Sequence, residues 1–310
     1  MSGAPARAAL VAAAALAGEL LTLVASEFQA GLAPTLLLGI AALTIAALAM
    51  SRLSRHDHGA ARLAVPALFG LTMLWLWQVI TTTFGIPKIL LPAPSEIAVA
   101  FIANSATLGA DFMQTFVRSV IPGYVMGCGA GFLLAIAIDR SNFLQRGLLP
   151  FGNLAAAVPV VGIAPIMVMW FGFDWESKAA VIVVMTVFPM LINTTAGLSA
   201  TSAMELDLMR SYAARYGQTL VKLRLPAAMP YIFNALKLNS TLALIGGIVA
   251  EFFGTPIVGM GFRISTEVAR MNIDIVWATI AVAALSGSLS YGVLSIVERA
   301  TTFWHPSFRK

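Results

Sequence analysis

Charge is scarce in this chain. Only 11% of its 310 residues are Asp, Glu, Lys or Arg, whereas 59% are hydrophobic. Because a soluble globular domain carries roughly 25% charged residues, the deficit favours an all-α polytopic membrane protein over a large soluble core. The single cysteine, Cys128, excludes an internal disulfide, and its place in an apolar run indicates a packing residue.

The motifs of soluble enzymes are also missing. The chain has neither the G-x-x-x-x-G-K-[ST] loop that binds ATP nor a Ser/His/Asp or H-E-x-x-H arrangement. It is therefore predicted not to be an enzyme and to hold no cofactor, so any ATP would be bound by a partner subunit. His56 and His58 flank Asp57, and we interpret this group as a solvated basic loop rather than a metal site.

Long apolar runs fill most of the chain. About 20 apolar residues are needed to cross the hydrocarbon core of a bilayer, and a segment in lipid satisfies its backbone by forming a helix. The sequence therefore predicts about eight transmembrane helices. Their approximate bounds are 7–26, 31–50, 65–84, 112–138, 150–171, 178–200, 229–252 and 273–297.

The basic residues predict the orientation. Most of the 19 lysines and arginines fall in loops that share one side of the membrane when the N-terminus is cytoplasmic. The positive-inside rule then favours both termini in the cytoplasm. The net charge of +5 does not indicate nucleic-acid binding, because the basic residues form short clusters between apolar runs rather than one continuous face.

Three glycines, Gly123, Gly127 and Gly131, repeat at four-residue spacing along one predicted helix. Small residues at this spacing let two helices approach closely in lipid. We expect this face to pack against another helix of the same chain, with a seam between two copies of the chain as the alternative.

The segment Glu205–Pro230 is basic and amphipathic, and it lies between two apolar runs. Its apolar residues recur at three- and four-residue spacing, so a helix here has one apolar and one basic face. A helix of this kind either lies on lipid or docks into another protein. Its basic residues are Arg210, Arg215, Lys222 and Arg224.

This segment resembles the cytoplasmic EAA loop of bacterial ABC-importer permeases. That loop ends in Leu-Pro, here Leu225-Pro226, and Arg210-Ser211 falls at the expected distance. The chain departs from the family pattern twice. Asp207-Leu208-Met209 stands where the loop opens with Glu-Ala-Ala, and Ala213 stands where the family usually has glycine.

Further motifs resemble the nitrate/sulfonate/taurine branch of these permeases. They extend the resemblance over roughly residues 65–300, which leaves 1–64 as two extra N-terminal transmembrane helices with a basic cytoplasmic loop, and 301–310 as a cytoplasmic tail. In chain order they are Leu91-Pro92-Ala93-Pro94, Thr115-Phe116-Val117-Arg118, Trp170-Phe171-Gly172, Phe188-Pro189, Asn193-Thr194, Ala250-Glu251 and Gly259-Met260-Gly261.

The resemblance implies a type I ABC-importer-like core in the bacterial inner membrane. Two such subunits, expected to form a homodimer, pack together above a dimer of cytoplasmic ATPases. A periplasmic or lipid-anchored binding protein delivers a small solute, such as a sulfonate, nitrate, taurine or a thiamine precursor. The segment at about 205–226 is then the coupling helix. The residues expected to carry the coupling are Asp207, Arg210, Ser211, Tyr212, Ala213, Arg215, Gly217, Leu225 and Pro226.

Polar residues within or near the predicted spans are expensive to bury, so each is a candidate for the translocation pathway. A structural hydrogen bond is the alternative for Glu251, pairing with an acid for Arg118, and interhelical hydrogen bonding for the two asparagines. Glu19, which lies outside the matched region, is either functional or paired with a neighbour. The pathway candidates are Arg118, Asn193, Asn239 and Glu251.

Two other classes of function compete with the importer. A secondary transporter driven by an ion gradient is expected to show inverted repeats and coupling acids near the membrane midplane. The sequence offers no convincing repeat, and only Glu19 and Glu251 are available as such acids. A membrane scaffold that transports nothing is the third interpretation.

Overall fold

The computed structural model describes residues 16–20, 22, 32–54, 59–141, 143–144, 147, 159–254 and 257–304. Within these residues every regular element is helical, as the sequence predicts. A helix pairs its own backbone N–H and C=O groups, for which apolar surroundings offer no hydrogen-bond partners.

One compact unit contains residues 1–103 and 270–278. Two of its helices pack against each other around the buried side chains of Ala42, Trp75 and Val79. The third begins at Pro94, and the Glu96 carboxylate accepts a hydrogen bond from the Ala93 N–H at 2.9 Å. The helices are α1 (Leu32–Leu53), α2 (Gly59–Thr83) and α3 (Pro94–Ala103).

A second compact unit contains residues 104–269 and 279–310. Two of its helices include a π-helical stretch, Met113–Val120 in α4 and Leu220–Arg224 in α8. The final helix, α10 (Ile273–Thr301), begins in the first unit and continues in the second. The other helices are α4 (Ser105–Arg140), α5 (Val160–Phe171), α6 (Trp175–Ser199), α7 (Ala203–Ser211), α8 (Tyr216–Glu251) and α9 (Met260–Ala269).

Five helices of the described residues are long and apolar enough to cross a membrane, fewer than the eight spans predicted. α4 and α8 have 36 residues each. At 1.5 Å per residue each is about 54 Å long, so both extend beyond a hydrocarbon core of about 30 Å. The five are Ala64–Thr83, Ser105–Arg140, Trp175–Ser199, Tyr216–Glu251 and Ile273–Thr301.

The remaining three predicted spans have different outcomes. Most of 7–26 lies outside the described residues. The span predicted at 31–50 coincides with α1 (Leu32–Leu53), a helix of 22 residues whose apolar stretch Leu37–Leu53 is shorter than a full span. Of the span predicted at 150–171, residues 150–158 lie outside the described residues, and Val160–Phe171 form α5, a helix of 12 residues that begins after the extended backbone of Pro159 (ψ 123°).

The glycine face of α4 packs against α6 within the chain, as expected. A Cβ on Gly123 would lie 2.8 Å from Cβ of Ile182, and one on Gly131 would lie 2.8 Å from Cβ of Met190. At Gly127 a Cβ would overlap the Thr186 side chain and lie 3.0 Å from Cα of Val183. The two helices are therefore too close for any side chain at these three positions.

We expect Gly127→Leu to separate α4 from α6 and to lower the free energy of unfolding by about 2 kcal/mol, the usual scale of overpacking. Gly129 is the matched control, because a Cβ at this exposed position on the same helix meets nothing within 4 Å. Thermal unfolding of the purified variants in detergent gives the melting temperature of each. Equal melting temperatures for Gly127→Leu and Gly129→Leu would contradict the packing described here.

Candidate functional site

α7 begins with a hydrogen-bonded N-terminal cap. The Ser202 hydroxyl accepts from the Glu205 N–H at 3.3 Å, and the Glu205 carboxylate accepts from the Ser202 N–H at 2.9 Å. Hydrogen bonds from the Ser202 hydroxyl and N–H lower the pKa of Glu205. The cap is therefore complete at neutral pH and is lost as the pH falls through this lowered pKa.

α7 has exposed apolar side chains, and none of its residues is buried. Met204, Leu208 and Tyr212 are 83%, 56% and 77% exposed. Their four-residue spacing places them along one face, and an isolated helix of nine residues is marginal in water. An exposed apolar stripe on so short a helix is typical of a surface that a partner covers.

A hydrogen-bonded turn ends α7. The Ala213 N–H bonds to the Arg210 carbonyl at 2.8 Å and the Ala214 N–H to the Met209 carbonyl at 3.0 Å. Ala213 has a φ of +53°, the left-handed conformation of a Schellman helix ending. The glycine usual at this position in the family loop has a conformational reason, because a Cβ disfavours that backbone.

The prediction of one amphipathic helix from about 205 to 226 is therefore wrong in extent. The left-handed residue ends α7, and a new helix begins at Tyr216 and continues without a break to Glu251. Pro226 does not end this helix, because the π-helical stretch Leu220–Arg224 lies directly before it. A wider helical turn accommodates the ring and the missing N–H of proline.

The predicted coupling residues divide into two groups. Leu225 and Pro226 are half-buried in the first part of α8. Arg210 pairs with Asp207 at 3.0 Å on the surface. The exposed group consists of Asp207, Arg210, Ser211, Tyr212, Ala213, Arg215 and Gly217.

Arg224 is not part of an exposed basic face. Its guanidinium makes two bonds of 2.7 Å to the carboxylate of Asp139 at the end of α4, and its Nε donates to the Leu198 carbonyl of α6 at 3.0 Å. The Tyr216 hydroxyl donates to the same carboxylate at 2.8 Å. We name this group the Asp139 clasp. It ties the ends of α4 and α6 to the first turns of α8.

Sequence reasoning missed Asp139, although a signal was present. It directly follows the apolar run 112–138, and a charged residue that is buried there needs a partner. The partner lies 85 residues away in the sequence, so spacing alone does not identify it.

Glu251 lies in a buried polar cluster at the opposite ends of α4 and α8. Its side chain is 2% exposed and accepts from the Thr115 hydroxyl at 2.8 Å and from the Gly261 N–H at 2.7 Å. Thr115 in turn accepts from the Met260 N–H, and Asp111 accepts from the Gly259 N–H. Three successive N–H groups at the start of α9 are thus bonded to buried side chains.

Asp111 also holds Arg263 of α9. The two side chains are 2.8 Å apart, and Asp111 is fully buried. The hydrogen bond to Asp111 raises the pKa of Arg263. Arg263 also lies 3.6 Å from Glu267, so the cluster balances its buried acids with a cation.

The structure does not bring the four pathway candidates together. Asn239 donates to the Thr186 carbonyl at 2.9 Å and to Sγ of Cys128 at 3.3 Å, which is interhelical bonding. Asn193 donates to the carbonyl of Pro189 in its own helix. Asn239 and Glu251 are 12 residues apart on α8, or roughly 18 Å. Arg118 lines a separate cleft.

Glu19 has structural partners. Its carboxylate accepts from the Thr72 hydroxyl at 2.8 Å, and its carbonyl accepts from the indole N–H of Trp75 at 2.8 Å. His56, His58 and His305 lie outside the described residues. The part of the chain that the structure describes has no group of His, Cys, Asp or Glu that could hold a metal ion.

Comparisons with known proteins agree with this architecture. Residues 127–303 match the family model described as "Binding-protein-dependent transport system inner membrane component". In solved structures, the chain is similar to a subunit of a methionine ABC transporter in inward-facing conformations. The TM-score is 0.51 and the identity 18%, over 64% of this chain and 95% of that one, which shows the shared fold.

Curated relatives are similar over most of their length. A formylaminopyrimidine transport permease of Halalkalibacterium halodurans is 28% identical over 77% of this chain and 95% of its own. A probable ABC transporter permease of Haemophilus influenzae is 29% identical over 71% and 89%. The taurine transport permease of Escherichia coli is 26% identical over 75% and 86%.

We expect Ala213→Gly to stabilise the exit of α7 by roughly 1 kcal/mol, because glycine removes the left-handed penalty of a Cβ. Amide hydrogen exchange across residues 205–214 measures it, and exchange should slow. Ala214→Gly is the control, since Ala214 does not have a positive φ, and there exchange should quicken. Faster exchange in Ala213→Gly would show that this backbone carries no strain.

Proposed function

The chain belongs to the family of binding-protein-dependent transport system inner membrane components, and from that premise we propose that it is the permease subunit of an ATP-driven importer for a small solute. It forms the translocation pathway and docks cytoplasmic ATPases through α7. The observation that carries this proposal is the exposed apolar face of α7, which no other part of the described chain covers.

The shape of α7 supports docking into a protein rather than lying on lipid. The helix is capped at Ser202 and ended at Ala213, so its backbone is fixed before any partner binds. A preformed helix loses less conformational entropy on docking. Its apolar stripe fits a groove on an ATPase, while Asp207 and Arg210 lie beside it at the rim, where charges set register more than affinity.

The Asp139 clasp supports a lever mechanism. α7 connects through a four-residue turn to α8, and the clasp ties the start of α8 to α4 and α6. Movement of the ATPases would then pull three helices together rather than bend one loop. Rigid-body rocking of such helices about a central pathway is the usual form of alternating access.

The proposed assembly follows from the family and from charge. The positive-inside rule supports a cytoplasmic location for α7 and for both termini, with the protein in the bacterial inner membrane. ATP is bound by a separate ATPase dimer, and a second copy of this subunit completes the pore. A periplasmic or lipid-anchored binding protein supplies the solute. Relatives named for taurine and formylaminopyrimidine transport support a small organic solute.

We expect the double variant Arg210→Glu, Tyr212→Asp to lose co-purification of the co-expressed cognate ATPase and to lose uptake. It replaces one aromatic of the stripe with a charge and reverses the rim cation, while neither side chain supports the fold. Pull-down from detergent extracts measures association, and membrane fractionation checks insertion. Glu176→Lys, an exposed charge reversal at the other end of α6, is the control. Retained ATPase binding in the double variant would refute docking through α7.

We expect Asp139→Ala to keep ATPase binding but lose ATP-driven uptake, since the largely buried guanidinium of Arg224 is left without its acidic partner. Such a loss also destabilises a protein by about 3 kcal/mol. The exchange Asp139→Arg, Arg224→Asp restores opposite charges and should recover part of the uptake. Reconstituted vesicles measure uptake and ATP hydrolysis together. Full coupling in Asp139→Ala would mean that the clasp only holds the fold.

A further inference from the structure

A cleft of about 380 Å³ lies where the first turn of α6 meets the middle of α4. Arg118, Pro122, Asp174 and Trp175 line it. We propose that this cleft, the Arg118 cleft, binds a small zwitterion, with an oxyanion on Arg118 and an ammonium or amine on Asp174. The inference rests on the proposed import function and names the class of solute that the pathway accepts.

Arg118 has unused hydrogen-bond donors. Within the described residues it forms no ion pair, and its Nη1 donates only to the side-chain oxygen of Gln114, at 3.3 Å. A guanidinium carries five N–H donors in a planar fork that matches an oxyanion. Gln114 is buried, so it fixes the direction of the Arg118 side chain.

The backbone around Arg118 also differs from an ordinary helix. Met113–Val120 is π-helical, and Pro122 follows in the next turn. π-helical stretches inside helices occur frequently at functional sites, because the wider turn changes the direction of the side chains it carries. Here it places the Arg118 side chain at the cleft.

The opposite wall of the cleft is held in place by a buried lysine. The Lys178 ammonium donates to the carbonyls of Phe173 and Asp174, and the Ser177 hydroxyl donates to the same Asp174 carbonyl at 3.0 Å. One carboxylate oxygen of Asp174 accepts from the Trp175 N–H at 2.8 Å. The other has no protein donor among the described residues and remains for a ligand.

The two charges of the cleft select the ligand. Arg118 and Asp174 line the same space but lie too far apart to pair with each other. A simple anion is attracted to Arg118 and repelled by Asp174, whereas a zwitterion satisfies both. Since both walls are fixed before binding, little ordering entropy is lost.

The same chemistry occurs in two sources. A free solute such as an aminoalkyl sulfonate carries an oxyanion and an ammonium, and so does the headgroup of phosphatidylethanolamine. Arginine side chains commonly bind phosphate groups, so binding of the lipid headgroup must be tested separately.

The test uses the full chain in nanodiscs of phosphatidylglycerol, whose headgroup has no ammonium. Saturation-transfer NMR reports binding of two probes, taurine and ethanesulfonate, which share the sulfonate and differ in the amine. We expect taurine to bind about tenfold more tightly, the effect of one charge-assisted hydrogen bond. Equal affinity for the two probes, or no binding of either, would overturn the proposal.

Two variants separate the roles of the walls. Arg118→Gln should lower the affinity for both probes about tenfold or more, because the partner of the sulfonate oxygens is lost. Asp174→Asn should abolish the preference for taurine while keeping the helix cap, since asparagine caps as well as aspartate. Lys222→Gln and Glu176→Gln remove exposed charges outside the cleft and should leave both affinities unchanged. Unchanged binding in Arg118→Gln would also refute the site.

Nanodiscs containing phosphatidylethanolamine provide the last comparison. Taurine binding that persists in these nanodiscs supports a solute site. If phosphatidylethanolamine abolishes the Arg118-dependent binding of taurine, the cleft binds lipid and the proposal is overturned. Co-purification of the ATPase with Arg118→Gln and Asp174→Asn is scored in parallel. Failure of the cleft leaves that association intact, and failure of α7 docking leaves taurine binding intact, so the two hypotheses fail separately.

Discussion

The close contact between α4 and α6 positions both the Asp139 clasp and the Arg118 cleft. Three glycines of α4 face Ile182, Thr186 and Met190 of α6 at distances that leave no room for a side chain. α8 also approaches α6 closely, because a Cβ on Gly197 of α6 would lie 3.1 Å from Cα of Ala228 in α8. Three backbones held this close have few relative positions available.

With the helices packed in this way, the two ends of α4 and α8 carry different polar contacts. At one end the charges meet in the Asp139 clasp, where the side chains of Asp139 and Arg224 are at least four-fifths buried and each carboxylate oxygen accepts a hydrogen bond. At the other end, Asp111, Thr115 and Glu251 bond to the backbone of residues 259–261 and fix the start of α9. A Cβ on Gly259 would lie 2.7 Å from the Glu251 oxygens, so glycine is required there.

Part of this arrangement could be predicted from the sequence. The spans follow from the length of apolar runs, which is a local property, and the glycine face follows from a local period. Glu251 was singled out because an acid in an apolar run is expensive, and the structure shows which donors offset that cost.

Other features depend on contacts that no local pattern records. The hydrophobic period continues from Leu208 through Leu220, so it predicts one helix where the structure has two, interrupted at the left-handed Ala213. A glycine at that position would have been a signal for a helix ending, but alanine is the best helix former. The pairing of Asp139 with Arg224 and the position of Arg118 beside Asp174 require the tertiary fold.

The clasp and the Arg118 cleft lie on the same two helices, and this bears on how an importer couples its two sides. Residues 118 and 139 of α4 are 21 positions apart, or roughly 32 Å along one helix. With α4 locked to α6 between them, a shift at the clasp cannot be absorbed by a soft layer of side chains. Such a shift moves α4 as a rigid body. The distance between Arg118 on α4 and Asp174 at the start of α6 then changes only if α4 slides or rotates on α6. A zwitterion held by both walls resists that motion, so ligand and ATPase would act on the same helix contact from opposite ends.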